Sequence, residues 1–191
     1  MSDSDRRRWE KKYAERQPPD RAVPDEWLAR CIRDLSARRT GRALDLACGL
    51  GHNAVWLAQH GWQVDGLDIS PSGLKLGATL AESAGVSVNW IERDLDFVSL
   101  ESNSLDLICV FRFLDRQRLP SLIQPALRAR GWLIYETFLA SDDQTSHIRN
   151  PDWVLQPDEL PQLFPQLEPI RSEEVVRGDV SVARFLGRKL A

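Results

Sequence analysis

The sequence predicts an α/β fold: a doubly wound, mostly parallel seven-stranded sheet that ends in an antiparallel hairpin. Three observations carry this expectation. Short apolar runs alternate with helical stretches from Arg42 to Phe138, the pattern of parallel strands joined by covering helices. The first of these runs enters a glycine-rich turn directly, and the turn opens a helix. The last two strand-like runs flank Gly178-Asp179, a pair suited to a tight hairpin turn.

The elements follow in chain order. Residues 4–16 are rich in helix formers and place Trp9 and Tyr13 four apart on one helix face. Gln17-Pro18-Pro19-Asp20 breaks that segment. A second helix begins at Pro24, with Asp25 and Glu26 in its first turn, where the helix dipole favours acids. Trp27, Leu28, Cys31, Ile32 and Leu35 give it an apolar stripe. Strands are expected at 43–47, 62–68, 86–91, 105–111 and 132–138, and the hairpin strands at 169–176 and 180–187. Helices are expected at 52–60, 71–84, 116–128 and 158–164, with a loop at 141–157. Pro120 and Pro125 leave the limits of the 116–128 helix open. Residues 1–40 read as a helical segment of the same domain that covers the site, and residues 41–191 as the ligand-binding domain.

Composition narrows the functional classes. The 191 residues carry a net charge of -3, so no overall positive field points to nucleic acid. Arg6, Arg7, Arg8, Lys11 and Lys12 cluster, but Glu10 interrupts them and Glu15 follows, the pattern of a solvated helix face. Three cysteines without a CxxC or Cys/His ligand spacing indicate a reducing, cytoplasmic setting and no metal site. No run of about 18 apolar residues suggests a membrane span. A monomer or homodimer is expected.

The central motif is Asp45-Leu46-Ala47-Cys48-Gly49-Leu50-Gly51-His52-Asn53-Ala54. Glycine suits positions of positive φ or close ligand approach, and the helix start offers free N–H groups to the polar end of a nucleotide-like ligand. Asp68 ends the next strand, 17 positions after Gly51. In a doubly wound sheet the two strand ends lie side by side, and a carboxylate there can accept both ribose hydroxyls. Two ligand classes remain open. Gly49 to Ala54 also satisfies the GxGxxA dinucleotide fingerprint. Asp45, four residues before Gly49, would repel a pyrophosphate but suits a ligand with ammonium and sulfonium charges. If Asp45 only bonds the loop's own N–H groups, it does not discriminate between them.

This stretch resembles the first motif of class I S-adenosylmethionine (SAM)-dependent methyltransferases, with Ala47 where a first glycine is common. The resemblance implies a Rossmann-like domain, SAM as cofactor, and a set of donor-binding residues. These are Asp45, Ala47, Gly49, Gly51 and Asn53 in the loop, Asp68 and Ile69 at the ribose, Asp94 and Leu95 at the adenine, and Val110 beneath the methyl donor. Within the superfamily the chain is similar to the tellurite-resistance and thiopurine methyltransferase-like group, through the WxxxY segment Trp9–Tyr13 and the stretch 150–160. That group implies a small-molecule acceptor.

Methyl transfer from a sulfonium is an in-line displacement of an already activated donor, and it rests chiefly on positioning. No HExxH, GxSxG or Walker A pattern competes. Phe111-Arg112-Phe113 stands where nucleobase amino-methylating enzymes carry Asn/Asp-Pro-Pro-Tyr/Phe. The acceptor-side candidates are His147 as a general base, Arg112 as an anion binder or a partner of Asp115, and Tyr13 as a cover over the donor. A SAM-binding regulatory or partner subunit of the same fold is the alternative from a non-enzymatic class.

Overall fold

The computed structural model describes residues 3–35, 40–140 and 150–191. Seven strands form one sheet in the order β3-β2-β1-β4-β5-β7-β6. They are β1 (Arg42–Leu46), β2 (Gln63–Asp68), β3 (Asn89–Glu92), β4 (Leu105–Phe111), β5 (Leu127–Phe138), β6 (Leu167–Arg177) and β7 (Val180–Lys189). The pairs β1–β2, β2–β3 and β4–β5 are parallel, and β5–β7 and β6–β7 are antiparallel. The expected mixed sheet with a terminal hairpin is therefore the observed one. The chain divides into two compact units, residues 1–99 and 100–191.

The first unit contains β1, β2 and β3 with helices α1 (Asp3–Ala14), α2 (Glu26–Leu35), α3 (His52–Gln59) and α4 (Pro71–Ser83). Parallel strands buried on both faces read as continuous apolar runs, and Ala43, Leu44 and Leu46 are buried accordingly. Trp27, Leu28, Cys31 and Ile32 of α2 form the buried stripe that their spacing predicts. Pro71 starts α4, and Ser70 caps it by accepting the N–H of Gly73 at 3.1 Å. The third strand is shorter than expected. Val86 returns its N–H to the Ala81 carbonyl at 3.1 Å, so the residues that follow α4 first close the turn and pair only from Asn89.

The second unit contains β4 to β7 with α5 (Arg118–Ala126) and α6 (Glu159–Gln162). Leu107, Ile108, Cys109 and Val110 of β4 are fully buried. Tyr135, Phe164 and Phe185 pack ring against ring around the hairpin, with centroids 5.9 and 6.1 Å apart. The fifth strand begins five residues earlier than its apolar run, because Leu127 already pairs with Leu105 before the register shifts. The charged stretch Arg128-Ala129-Arg130 disguised that start as a helix tail. Gly178-Asp179 forms the hairpin turn, with Gly178 at φ +64° and Arg177 paired with Val180.

Candidate functional site

The loop after β1 alternates in backbone handedness: Ala47, Gly49 and Gly51 all have positive φ, at +58°, +56° and +68°. Glycine takes this region freely, whereas an L side chain pays about 1–2 kcal/mol there. Ala47 carries that strain, so Ala47→Gly is expected to stabilise the protein by about 0.5–1 kcal/mol, the relief being partly offset by unfolded-chain entropy. Urea unfolding checks this; a less stable variant would show that the methyl group is held by packing.

Two buried aspartates shape the loop. Asp45, 2% exposed, accepts the N–H of Ala54 at 3.1 Å in the first turn of α3. Asp68, 7% exposed, accepts the Gly49 N–H through Oδ2 at 2.8 Å and the Ser70 N–H through Oδ1 at 2.9 Å. Burial pushes the Asp68 carboxyl above its usual range, against the pull of those N–H groups. Cys48, between them in sequence, is buried and its thiol is raised further, by burial first and then by the charges of Asp45 and Asp68, so it is not a reactive thiolate.

Helix α1 lies directly on this loop. The Tyr13 hydroxyl stands 2.5 Å from the point a Cβ at Gly49 would occupy, and its ring edge 3.1 Å from a Cβ at Gly73. Tyr13 stacks on Trp9, as their spacing predicts, with ring centroids 5.8 Å apart. Glu10 accepts the Ser70 hydroxyl at 2.6 Å, the Ser72 hydroxyl at 2.5 Å and the Ser72 N–H at 3.1 Å. Burial opposes ionisation of Glu10, but these hydrogen bonds outweigh it and hold the carboxyl below the usual range. The sequence reading assigned Glu10 to a solvated face. Its neighbours Lys11 and Lys12 are exposed, whereas Glu10 anchors the helix on the start of α4.

Gly51 meets a different neighbour. A Cβ there would overlap the indole of Trp90, and Cβ atoms at Gly66 and Gly77 would come within 2.7 Å of the same ring. Trp90 on β3 thus sits in a socket of three glycines from the loop, β2 and α4. No periodicity in the sequence revealed it.

The other expected residues take varied places. The Asn53 side chain is buried and turned to Asp25, giving its Nδ2 to Asp25 Oδ2 at 3.0 Å and accepting the Asp25 N–H at 2.8 Å. Ile69, Leu95 and Val110 are buried in their units. Asp94 precedes a 3-10 turn, Leu95–Phe97, and caps it through the Asp96 N–H at 3.0 Å.

In the second unit Arg112 is exposed, has a positive φ of +56°, and donates its N–H to the Glu136 carbonyl at 2.9 Å. Asp115, named with it, accepts the N–H groups of Gln117 and Arg118 at 3.0 and 2.7 Å, which caps α5. Glu136, 1% exposed, is paired with Arg184 at 2.7 Å and Arg177 at 2.9 Å. Arg116 grips Glu159 through two bonds and the Val154 carbonyl at 2.6 Å, and this pairing holds the Glu159 carboxyl below its usual range. Neither cluster was signalled by local spacing, since the partners lie 43 and 48 positions apart. His147 lies outside the described residues.

Known proteins share this architecture. A family model described as a methyltransferase domain matches residues 43–130, which hold the loop, Asp68 and Asp94. Among curated proteins, hemagglutinin 1 of Eikenella corrodens is 28% identical over 141 residues, 71% of this chain and 46% of that protein. The probable S-adenosyl-L-methionine-dependent methyltransferase TehB of Haemophilus influenzae is 25% identical over 107 residues, 53% of this chain and 37% of that protein. The chain therefore spans less than half the length of these two relatives. A structure titled for the conversion of a disulfide bond into a thioacetal group during echinomycin biosynthesis superposes with a TM-score of 0.72 at 17% identity, over 96% of this chain and 88% of that one. Domain match and strand order agree: residues 43–130 are similar to a methyltransferase domain, and the chain has the Rossmann-like fold of the SAM-dependent methyltransferases.

Proposed function

We propose that the chain binds SAM at the β1 loop and transfers its methyl group to a small molecule. The observation that carries this reading is the Asp68 carboxylate at the end of β2. Each of its oxygens accepts one backbone N–H, and a carboxylate has about four acceptor sites. The Ile69 N–H also bears on this carboxylate, so at least one acceptor site is left for a ribose hydroxyl, on a group that the glycine loop already holds in place. In this reading Ile69, Asp94 and Leu95 frame the adenine, and the backbone of Ala47, Gly49 and Gly51 faces the methionyl half. Asp45 and Asn53 support the loop from behind. The small-molecule acceptor is supported by the similarity to a ubiquinone biosynthesis O-methyltransferase of Coxiella burnetii, 28% identical over 98 residues. Arg112, held in a conformation that L residues avoid, suits an acceptor-side role, since backbone strain of this kind clusters at functional positions.

The same reading makes residues 1–40 part of the donor-binding domain, with Tyr13 and α1 as the cover of the site. Calorimetry with SAM and S-adenosylhomocysteine tests the whole. Heat with both ligands, and methyl transfer in a screen of thiols, chalcogen oxyanions, amines and phenols, is expected. Folded protein that takes up neither ligand overturns the reading, and binding without any turnover favours the regulatory subunit.

The anchor of α1 carries its own pH dependence. Glu10 has a depressed value in the folded protein, so its contribution to docking is complete above the ordinary glutamate range and is lost as pH falls through the folded value. The protection of the residue 6–14 amides, relative to their intrinsic exchange rates, is expected to fall on acidification before that of the strands, and Glu10→Gln to show low protection already at neutral pH. Equal protection in both proteins at pH 7 would count against the anchor.

A further inference from the structure

His52 is the first residue of α3, directly after Gly51, and its Nε2 lies 3.1 Å from Oδ2 of Asp25. That aspartate precedes α2 and is 4% exposed. Its Oδ2 also accepts from Asn53 Nδ2, and its own N–H is held by Asn53 Oδ1. A carboxylate oxygen in this position accepts, so Nε2 is the ring atom that carries the hydrogen. The imidazole then presents a lone pair at Nδ1, which has no hydrogen-bond partner among the described residues, on a side chain 28% exposed. A buried carboxylate that fixes a tautomer this way orients a ring toward something at its other nitrogen.

The order β3-β2-β1 says what lies there. If the adenine sits after β3 at Asp94 and the ribose at the end of β2 on Asp68, the end of β1 is left for the amino-acid half of the donor, and Gly49 to His52 occupy that end. This step rests on the SAM-binding reading above. The titratable groups around the start of α3 are Asp25 before α2, Asp45 from β1, Cys48 in the loop, Asp68 from β2 and Tyr13 from α1. Three of them are aspartates, which favour a cation over a carboxylate by Coulomb sign. We propose that Asp25 orients His52 so that its Nδ1 accepts a hydrogen bond from the α-ammonium of the donor's methionyl group. His52 is then a donor-binding residue and Asp25 its positioning residue.

Three probes, titrated by calorimetry into the full chain, separate this role from a structural clip between α2 and α3. S-adenosylhomocysteine carries ammonium and carboxylate, decarboxylated SAM keeps only the ammonium, and 5′-methylthioadenosine has neither. His52→Ala is expected to weaken the first two by about 10-fold or more, and the third by less than about 2-fold, since only a hydrogen bond to a charged group is lost. Asp25→Asn keeps a side chain suited to capping α2 and is expected to give a smaller loss with the same selectivity. This second variant carries the test if His52→Ala does not fold. An equal loss for methylthioadenosine would overturn the proposal and leave His52 as a clip. An unchanged affinity for decarboxylated SAM would overturn it in favour of the carboxylate. Failure of the folded wild-type chain to bind any probe would instead remove the SAM reading itself.

Discussion

Asp68→Ala is expected to cost both stability and donor affinity, and to do so through two separable sets of hydrogen bonds. The carboxylate is the partner of two loop N–H groups, from Gly49 and Ser70. Alanine leaves both donors without it, at about 1–3 kcal/mol for each buried unsatisfied group, so a loss of about 2–4 kcal/mol in urea unfolding is expected after partial relaxation. The ribose hydroxyls lose their acceptor as well, which predicts at least about 10-fold weaker binding of S-adenosylhomocysteine by calorimetry. Asp68→Asn separates the two effects. Its amide oxygen still serves one loop N–H, so stability falls less, while the loss of charge still weakens the ribose contact. The pH dependence has a definite sign. Burial raises the Asp68 carboxyl in the free protein, so folding prefers its protonated form, and this carboxyl favours the fold less as pH rises through its folded value. Ribose hydroxyls donate to the ionised form, so donor affinity rises with pH over the same interval. A folded Asp68→Ala protein with wild-type affinity would remove this residue from the site.

How much of this was legible in the sequence depended on whether a signal was local. The turn from β1 into α3, the acid closing β2 and the hairpin at Gly178-Asp179 each lie within a few residues. Each fixes its backbone by sterics or by a nearby hydrogen bond, and each was read correctly in kind. Strand ends were less legible wherever charge or a turn masked the pairing, as at Leu127 and Val86. What stayed hidden was the identity of partners brought from afar. Asn53 fits a loop that meets a ligand, yet its amide is committed to Asp25, 28 positions earlier. Glu10 stands in a run of basic residues that reads as solvated, and only the fold brings Ser70 and Ser72 to it. Asp45 makes the bond to the loop's own backbone that the sequence reading held open beside its charge argument. Its choice between ligand classes is therefore weaker than that of Asp68.

The second large effect is expected at Gly51, and its origin differs from the one the motif suggests. A glycine in such a turn invites the explanation that a ligand needs the space. Here the space belongs to Trp90, whose indole a Gly51 Cβ would overlap, and whose other walls are Gly66 and Gly77. Gly51→Ala meets two penalties. An alanine at φ +68° costs about 1–2 kcal/mol, and forcing a methyl group against a packed ring costs about 1–3 kcal/mol more. Together they predict a loss of about 3 kcal/mol in urea unfolding. The two terms are separable by a double-mutant cycle with Trp90→Leu. The smaller side chain should remove the steric part, so the alanine costs only its backbone strain in that background, and the coupling between the sites should be about 1–3 kcal/mol. Strict additivity would show that the Trp90 ring moves aside without cost, and that the glycine serves the backbone alone. A coupled result would mean that β3 contributes to the shape of the β1 loop through one aromatic ring, so that substitutions at Trp90 should alter S-adenosylhomocysteine affinity through Gly51.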